Sequence, residues 1–192
     1  MSETTSVVLV GVGGQGILLA SEVTARAAML AGHKVKTNEV HGMAQRGGSV
    51  VAQVRYGAEV FSPLVASGTA TVLGSLERIE ALRFSHYLKP GGLAVVSSQM
   101  IVPVTVSTGQ AQYPADAQER LSQAFPRLSY LDAAQIALDL GNIRAANIVI
   151  VGALSQGLDL PPEAWQEALT ACVPAKHLDV NLRAFEAGRQ AA

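Results

Sequence analysis

Apolar residues along this chain fall into short runs separated by segments of helical spacing. Ser6–Val10 (SVVLV) is such a run, closed by glycine, the pattern of a parallel strand buried on both faces. GVGGQG follows. Ile17, Leu18, Val23, Ala27 and Leu30 then recur at helical spacing up to Ala31, and Gly32 closes the segment as a C-terminal cap would. His33–Val40 predicts a second strand. Val50–Tyr56 alternates and leads through Gly57–Ala58 into Glu59–Phe61, which predicts a hairpin. Thr69–Leu73 predicts a strand, Leu76–Leu88 a helix, Pro90-Gly91-Gly92 a turn and Leu93–Ser97 a strand. A strand over Val102–Val106, a helix over Ala115–Phe125, a strand over Leu128–Leu131 and helices through the C-terminal third complete the pattern. Strands alternating with helices imply a mostly parallel sheet with helices on both faces, and the hairpin makes that sheet mixed. The expectation is one α/β domain over residues 1–192, in three α/β/α layers.

Composition adds a constraint on the surface. Apolar residues make up 49% of the 192 residues and Asp, Glu, Lys and Arg only 15%, against about 25% charged in typical soluble domains. Much of the surface is therefore small or uncharged. Either the fold is simply rich in Ala, Gly and Val, or a large surface is covered by a partner, since interface cores are depleted of charge. The net charge of −1 gives no reason to expect nucleic acid or an anionic membrane as a partner. No apolar run reaches the ~18 residues of a spanning helix. The start, MSETTS, lacks the basic residues of a signal peptide, so a cytoplasmic location is expected. The single cysteine, Cys172, rules out an internal disulfide, a Cys-based zinc site and a self-contained iron–sulfur cluster. It reads as a structural thiol near a helix end, and no metal ligands are expected on the chain.

Two glycine-rich loops carry the candidate chemistry. Gly11, Gly13, Gly14 and Gly16 stand between a buried strand and a helix, where glycine permits a tight turn and lets backbone N–H groups approach an anion. Gln15 adds an amide. The pattern is Rossmann-like and fits a phosphate-bearing ligand such as a dinucleotide or coenzyme A; the same glycines also serve close strand–helix packing. Glu39 stands about 20 residues further on, where a dinucleotide site wants an acid for the ribose. The second loop follows at once: His41-Gly42-Met43-Ala44-Gln45-Arg46-Gly47-Gly48. Its glycines let the backbone fold around Gln45 and Arg46, and arginine offers a rigid fork for a carboxylate or phosphate. His41 is a candidate for proton transfer, or a structural histidine. A nucleotide dehydrogenase has no need of this loop directly after its second strand.

GVGGQG followed by EVHGMAQRGGSV resembles the small subunit of the 2-oxoacid:ferredoxin oxidoreductases, particularly the indolepyruvate (arylpyruvate) type. The stretch Asn142 to Asn147 running to Gly152-Ala153, and Lys176 to Asn181 with Ala184-Phe185 and Gly188, resemble later stretches of the same family, so the likeness runs from about Ser6 to Gly188. It implies a subunit that helps convert an aryl 2-oxoacid and coenzyme A to an aryl-acetyl-CoA and CO2 while ferredoxin is reduced, as in aromatic amino acid catabolism. It also implies a large partner subunit bearing thiamine diphosphate, Mg2+ and [4Fe-4S] clusters, with ferredoxin reached through that hetero-oligomer. Candidate catalytic residues are then Gln45, Arg46 and His41. Candidate cofactor-contacting residues are Gly11, Gly13, Gly14, Gln15, Gly16, Glu39, Gly47, Gly48 and Asn147. Two alternatives stay open: a stand-alone nucleotide-binding Rossmann oxidoreductase, and a purely structural assembly subunit whose glycines pack and touch no substrate.

Overall fold

In a computed structural model, described for residues 4–42 and 47–192, the chain forms a mixed sheet of six strands flanked by helices. In chain order the elements are β1 (Thr5–Val12), α1 (Ile17–Leu30), β2 (Lys34–His41), β3 (Ser49–Gly57), β4 (Ala70–Ser75), α2 (Arg78–Arg83), β5 (Leu88–Ser97), α3 (Val104–Ser107), α4 (Ala117–Ala124), β6 (Leu128–Leu131), α5 (Ala133–Asp139), α6 (Ala146–Ser155), α7 (Pro162–Cys172) and α8 (Ala175–Ala191). The strand order is β2-β3-β1-β4-β5-β6. β1, β4, β5 and β6 pair in parallel, while β3 runs antiparallel to both β1 and β2.

Alternation along the central strands divides the core. Val7 and Leu9 of β1, with Ala52 and Val54 of β3, face α1, α6 and α7; Val8 and Val10, with Val51, Leu73 and Val96, face α2 and α4. A period of two sends neighbouring residues to opposite faces. Both sets are buried, which is why β1 reads as a continuous apolar run. α6 is apolar all round and buried from Asn147 to Ser155, as expected of a helix covered on every side. It lies between the sheet and α8. The close approach of α6 and α8 needs glycine: a Cβ at Gly152 would run into the Phe185 carbonyl, and one at Gly188 into the Val149 carbonyl.

Three local expectations are corrected. The antiparallel pair is β2 with β3, from Lys34 against Gly57 to His41 against Val50, and not 50–56 with Glu59–Phe61. Both edges of β3 are occupied by β1 and β2, so nothing is left for 59–61 to pair with. That segment is held instead by the exposed Lys34–Glu59 ion pair at 2.5 Å. The helix foreseen over 76–88 shrinks to α2 and a 3-10 turn over Ser85–Tyr87. Leu76 donates its N–H to Val10 O (3.0 Å) and so still belongs to the sheet, while Leu88 already pairs with Ala70. Val102–Val106 is not a strand: Pro103 caps the single helical turn α3. The outer edge of β5 is taken by β6, which leaves a strand there without a partner. Pro90-Gly91-Gly92 makes its turn inside β5, where the register against β4 shifts between Ala70 and Val72.

A Gly188→Ala substitution forces α8 off α6 or distorts its last turns. Overpacking of this kind costs roughly 1–3 kcal/mol, to be read as a lower urea midpoint with an unchanged m-value. An unchanged midpoint would mean that the two helices are not held this closely.

Candidate functional site

The chain leaves β1 for α1 on one face of the sheet and leaves β4 for α2 on the other. Adjacent parallel strands whose helices depart to opposite faces open a crevice at their carboxyl ends, the position where open α/β sheets bind ligands. Both glycine loops meet there. Because β3 runs antiparallel and sits beside β1, the end of the second loop returns to the first: Gly13 N–H donates to Gly48 O (2.8 Å) and Gly47 N–H to Gly13 O (3.4 Å). Gly42 N–H donates to Ser49 O (3.1 Å), closing the base of the second loop. Gln45 and Arg46 lie outside the described residues.

Gln15 spans the crevice. Its Oε1 accepts from Val12 N (2.7 Å), and its Nε2 donates to Leu76 O (2.7 Å) and to Gln99 Oε1 (2.9 Å). One side chain thereby ties the carboxyl ends of β1, β4 and β5 together, and both amide hydrogens are engaged within the protein. Gly11 supplies the room, since a Cβ there would stand 2.8 Å from Gln15 Oε1. Gly16 opens α1 in the left-handed region at φ +82°, and a Cβ on it would come within 2.6 Å of Asn147 Nδ2. Asn147, 3% exposed at the start of α6, donates to Gly16 O (3.1 Å). It braces the loop from the far end of the sequence.

In front of the α1 N-terminus lies a cavity of about 410 Å3, lined by Gly13, Gly14, Leu18, His41 and Val50 among others. The first amides of a helix point outward and carry a partial positive charge, so this cavity offers donors for an anionic or carbonyl group beside apolar walls. His41, the last residue of β2, is exposed on its rim. Glu39, one pleat back, lines a different groove, between α1 and β2. The structure thus brings His41, Gly11, Gly13, Gly14, Gln15, Gly16, Gly47, Gly48 and Asn147 to one end of the sheet and leaves Glu39 apart. Dinucleotide folds place the acid-bearing strand directly beside the first strand; here β3 stands between them. That order speaks against the nucleotide-binding Rossmann alternative.

On the α2 side of the crevice stand residues that the sequence reading did not single out. Glu77, 2% exposed, accepts from Ile79 N (2.6 Å), Glu80 N (2.9 Å), Ile101 N (3.3 Å) and Tyr113 Oη (2.8 Å). Four donors compensate the burial of this carboxylate. Glu80, 6% exposed, accepts from Ser49 Oγ at the base of the second loop and pairs with Arg83 at 3.2 Å. Arg78 stacks 4.9 Å from the Tyr113 ring centre and donates from Nε to its hydroxyl (2.9 Å). The bond to Tyr113 holds the Arg78 guanidinium above its usual range. Burial first, then the Glu77 carboxylate, pushes the Tyr113 phenol up to about 12, although Arg78 pulls the other way. No periodicity marks Glu77 or Tyr113, which stand far apart in sequence and meet only in the fold. Among the described residues no three His, Cys, Asp or Glu side chains converge on a point that could hold a metal, and one cysteine cannot ligate a cluster.

Residues 6–191 match the family described as pyruvate ferredoxin/flavodoxin oxidoreductase. The chain belongs to this family. A similar protein from Thermococcus kodakarensis, the indolepyruvate oxidoreductase subunit IorB, is 45% identical, with 97% of this chain and 95% of that one covered. Among solved structures, the gamma subunit of a keto/oxoacid ferredoxin oxidoreductase from Geobacter sulfurreducens superposes with a TM-score of 0.72 at 23% identity, covering 98% of both chains. The 2-oxoglutarate:ferredoxin oxidoreductase from Magnetococcus marinus, with 2-oxoglutarate, coenzyme A and succinyl-CoA bound, superposes with a TM-score of 0.74 at 23% identity. That match covers 99% of this chain but only 31% of that one. The fold is therefore that of the oxidoreductase small subunits, occurring both as a separate chain and as part of a longer one. No helix among the described residues is long and apolar enough to cross a membrane.

Tyr113 generates a pH prediction. Its phenol is raised in the folded state, so between pH 10 and about 12 the unfolded chain has released a proton that the folded chain keeps. Stability then falls as pH rises through that window. Denaturation midpoints measured across it should decline, and the decline should be shallower in Tyr113→Phe. Equal slopes in the two proteins would contradict the assignment.

Proposed function

We propose that the chain is the small subunit of an indolepyruvate (arylpyruvate) ferredoxin oxidoreductase, a hetero-oligomer in which the large partner carries thiamine diphosphate, Mg2+ and [4Fe-4S] clusters. The observation that carries this reading is the full-length likeness at 45% identity to an indolepyruvate oxidoreductase subunit. Thiamine diphosphate supplies the electron sink that lets CO2 leave the 2-oxoacid. Coenzyme A is the co-substrate, ferredoxin takes the electrons through the clusters of the complex, and the assembly works in the cytoplasm. The whole chain acts as one domain within it.

This chain's own residues bind and position. The α1 N-terminus and the cavity bordered by Gly13, Gly14, Gly16 and His41 suit a group with an anionic or carbonyl end and an apolar body. Gly47 and Gly48 are hydrogen-bonded to Gly13, which borders that cavity. Arg46 is proposed to contact an anionic group of the 2-oxoacid, of coenzyme A or of the large subunit, and His41 to stand at the rim of the shared active-site region. A bracing role is the better reading for Gln15 and Asn147, whose amides are engaged within the protein.

Purified alone, the chain should show no 2-oxoacid- and CoA-dependent reduction of a viologen dye; turnover without the large subunit would refute the division of labour. In the assembled complex, Arg46→Ala should leave mass and cluster content intact while activity falls. Loss of a charge-assisted contact costs about 1.5–3 kcal/mol, or roughly tenfold to above a hundredfold in rate. Failure to assemble would make Arg46 structural, and normal activity would remove it from the site.

A further inference from the structure

A second cavity lies at the opposite end of the sheet from the glycine loops. It measures about 350 Å3, and its walls include Ser6, Arg55, Leu64, Gly68, Thr69 and Lys89. Arg55, Ser6 and Lys89 belong to β3, β1 and β5, and Thr69 directly precedes β4, so the four polar side chains follow the strand order across the sheet. From Ser6 to Gly13 the chain runs roughly 20 Å at about 3.3 Å per residue. This cavity is therefore separate from the one before α1.

Charge singles it out. Arg55 and Lys89 both border it, and among the described residues no Asp or Glu does. Neither cation forms an ion pair within 4.0 Å among those residues. Glu59, whose carbonyl accepts from Thr4, gives its carboxylate to Lys34. Lys36 stands directly opposite Arg55 in the β2–β3 register, and like charges facing each other across strands are unfavourable. An anion seated on Arg55 offsets that repulsion. Lys89 also borders a neighbouring cavity with Arg127 and Asp159.

The walls are fixed before any ligand arrives. Arg55 donates from Nε to Ser6 Oγ (3.2 Å) and from Nη1 to Ser62 O (2.9 Å) and Leu64 O (3.2 Å). A guanidinium carries five N–H donors, and among the described residues these bonds leave Nη2 without an acceptor. The loop over the cavity is pinned as well. Val65 N donates to Gln53 Oε1 (2.8 Å), and His86 O accepts from Gly68 N (2.8 Å) and Ser67 Oγ (2.9 Å). A site held in this way spends little on ordering itself when a ligand binds.

We infer that this cavity binds a phosphate-type oxyanion, through Arg55 Nη2 and Lys89 Nζ with the Ser6 and Thr69 hydroxyls beside them. Two cations facing one cavity match a doubly charged group better than a single carboxylate, and the planar fork of arginine suits phosphate oxygens. The volume lies at the small end of the ~300–1,000 Å3 range of ligand sites. Free phosphate or a small phosphate ester fits that size better than a nucleotide-bearing cofactor. The inference does not rest on the proposed function.

Titration of the intact chain with inorganic phosphate, against chloride at equal ionic strength, tests it. The amide resonances of Gly68 and Thr69 should shift and saturate, with half the effect at about 1 mM or below. Lys89→Gln should weaken that response roughly tenfold or more, and Lys89→Arg should retain it. Lys89 is half-buried, so Lys89→Gln should melt like the original chain in the absence of phosphate. Gly13 and Gly14 report the cavity before α1, and their response should be the same in Lys89→Gln. Glycerol phosphate separates the two sources: binding tighter than that of inorganic phosphate identifies an ester as the ligand, and weaker binding identifies free phosphate. No saturable shift at Gly68 and Thr69 overturns the inference. So does an equal response to chloride, or a phosphate response that Lys89→Gln leaves intact.

Discussion

The hydrogen bond from Gly13 N–H to Gly48 O, 2.8 Å long, joins two loops that are separated in sequence by a helix and a strand. It exists because β3 inserts antiparallel between β1 and β2, so that the chain emerging from the second loop runs directly alongside the strand that ends in the first. With β2 beside β1, as in a dinucleotide fold, the two loops would lie on neighbouring strands with no backbone edge shared between their ends. Insertion of β3 also carries Ser49 to Glu80, which couples the base of the second loop to α2 on the opposite face. The cavity before α1, the position of His41 and the anchoring of Gly47 and Gly48 all follow from that one choice of strand order.

The C-terminal third supports this end of the sheet from behind. α6 is buried on all sides because α8 closes over it, and that closure depends on glycine at 152 and 188. With α6 held in place, Asn147 at its start reaches Gly16 and secures the turn into α1. Gln15 does the same work across the crevice, joining β1 to β4 and β5. The loop that could present backbone donors to a ligand is therefore rigid through contacts with three strands and a distant helix. Preorganised donors of this kind act without reorganising when charge arrives.

The scarcity of charged residues, 15% of the chain, acquires a location. Leu18, Met29 and Leu30 expose apolar side chains along α1, and Met100, Val102 and Val104 do so after β5. Several charges that are present are drawn inward: Glu77 and Glu80 serve the crevice and are nearly inaccessible. A surface of this composition suits a protein that spends its working life against other chains.

Element type was legible in the sequence wherever local pattern controls it. The apolar run of β1, the spacing of α1, Gly32 at φ +84° after it, and β6 over Leu128–Leu131 all lie where the pattern puts them, because burial on one or both faces imposes a period on the side chains. The two glycine motifs were legible as motifs, and together with the stretches Asn142 to Ala153 and Lys176 to Gly188 they carried the family likeness from about Ser6 to Gly188. What local pattern could not decide was which edges pair. The hairpin read into 50–61 failed because both edges of β3 are filled by strands from elsewhere in the chain, and the strand read into 102–106 failed because β6 had already taken the edge of β5. Glu39 satisfied a spacing rule yet stands apart from the glycine loop, since that rule presumes a neighbour for β1 that the tertiary structure does not supply. Glu77, Tyr113, Gln99 and Ser49 carried no signal, for buried polar partners are chosen by proximity across elements and not by position along one. The sequence by itself determined β1, α1, β6, the two glycine motifs and the family; the tertiary structure alone decided strand order, the elements at 59–61, 76–88 and 102–106, and the polar network, because hydrogen-bonding edges and buried charges are satisfied between segments rather than within them.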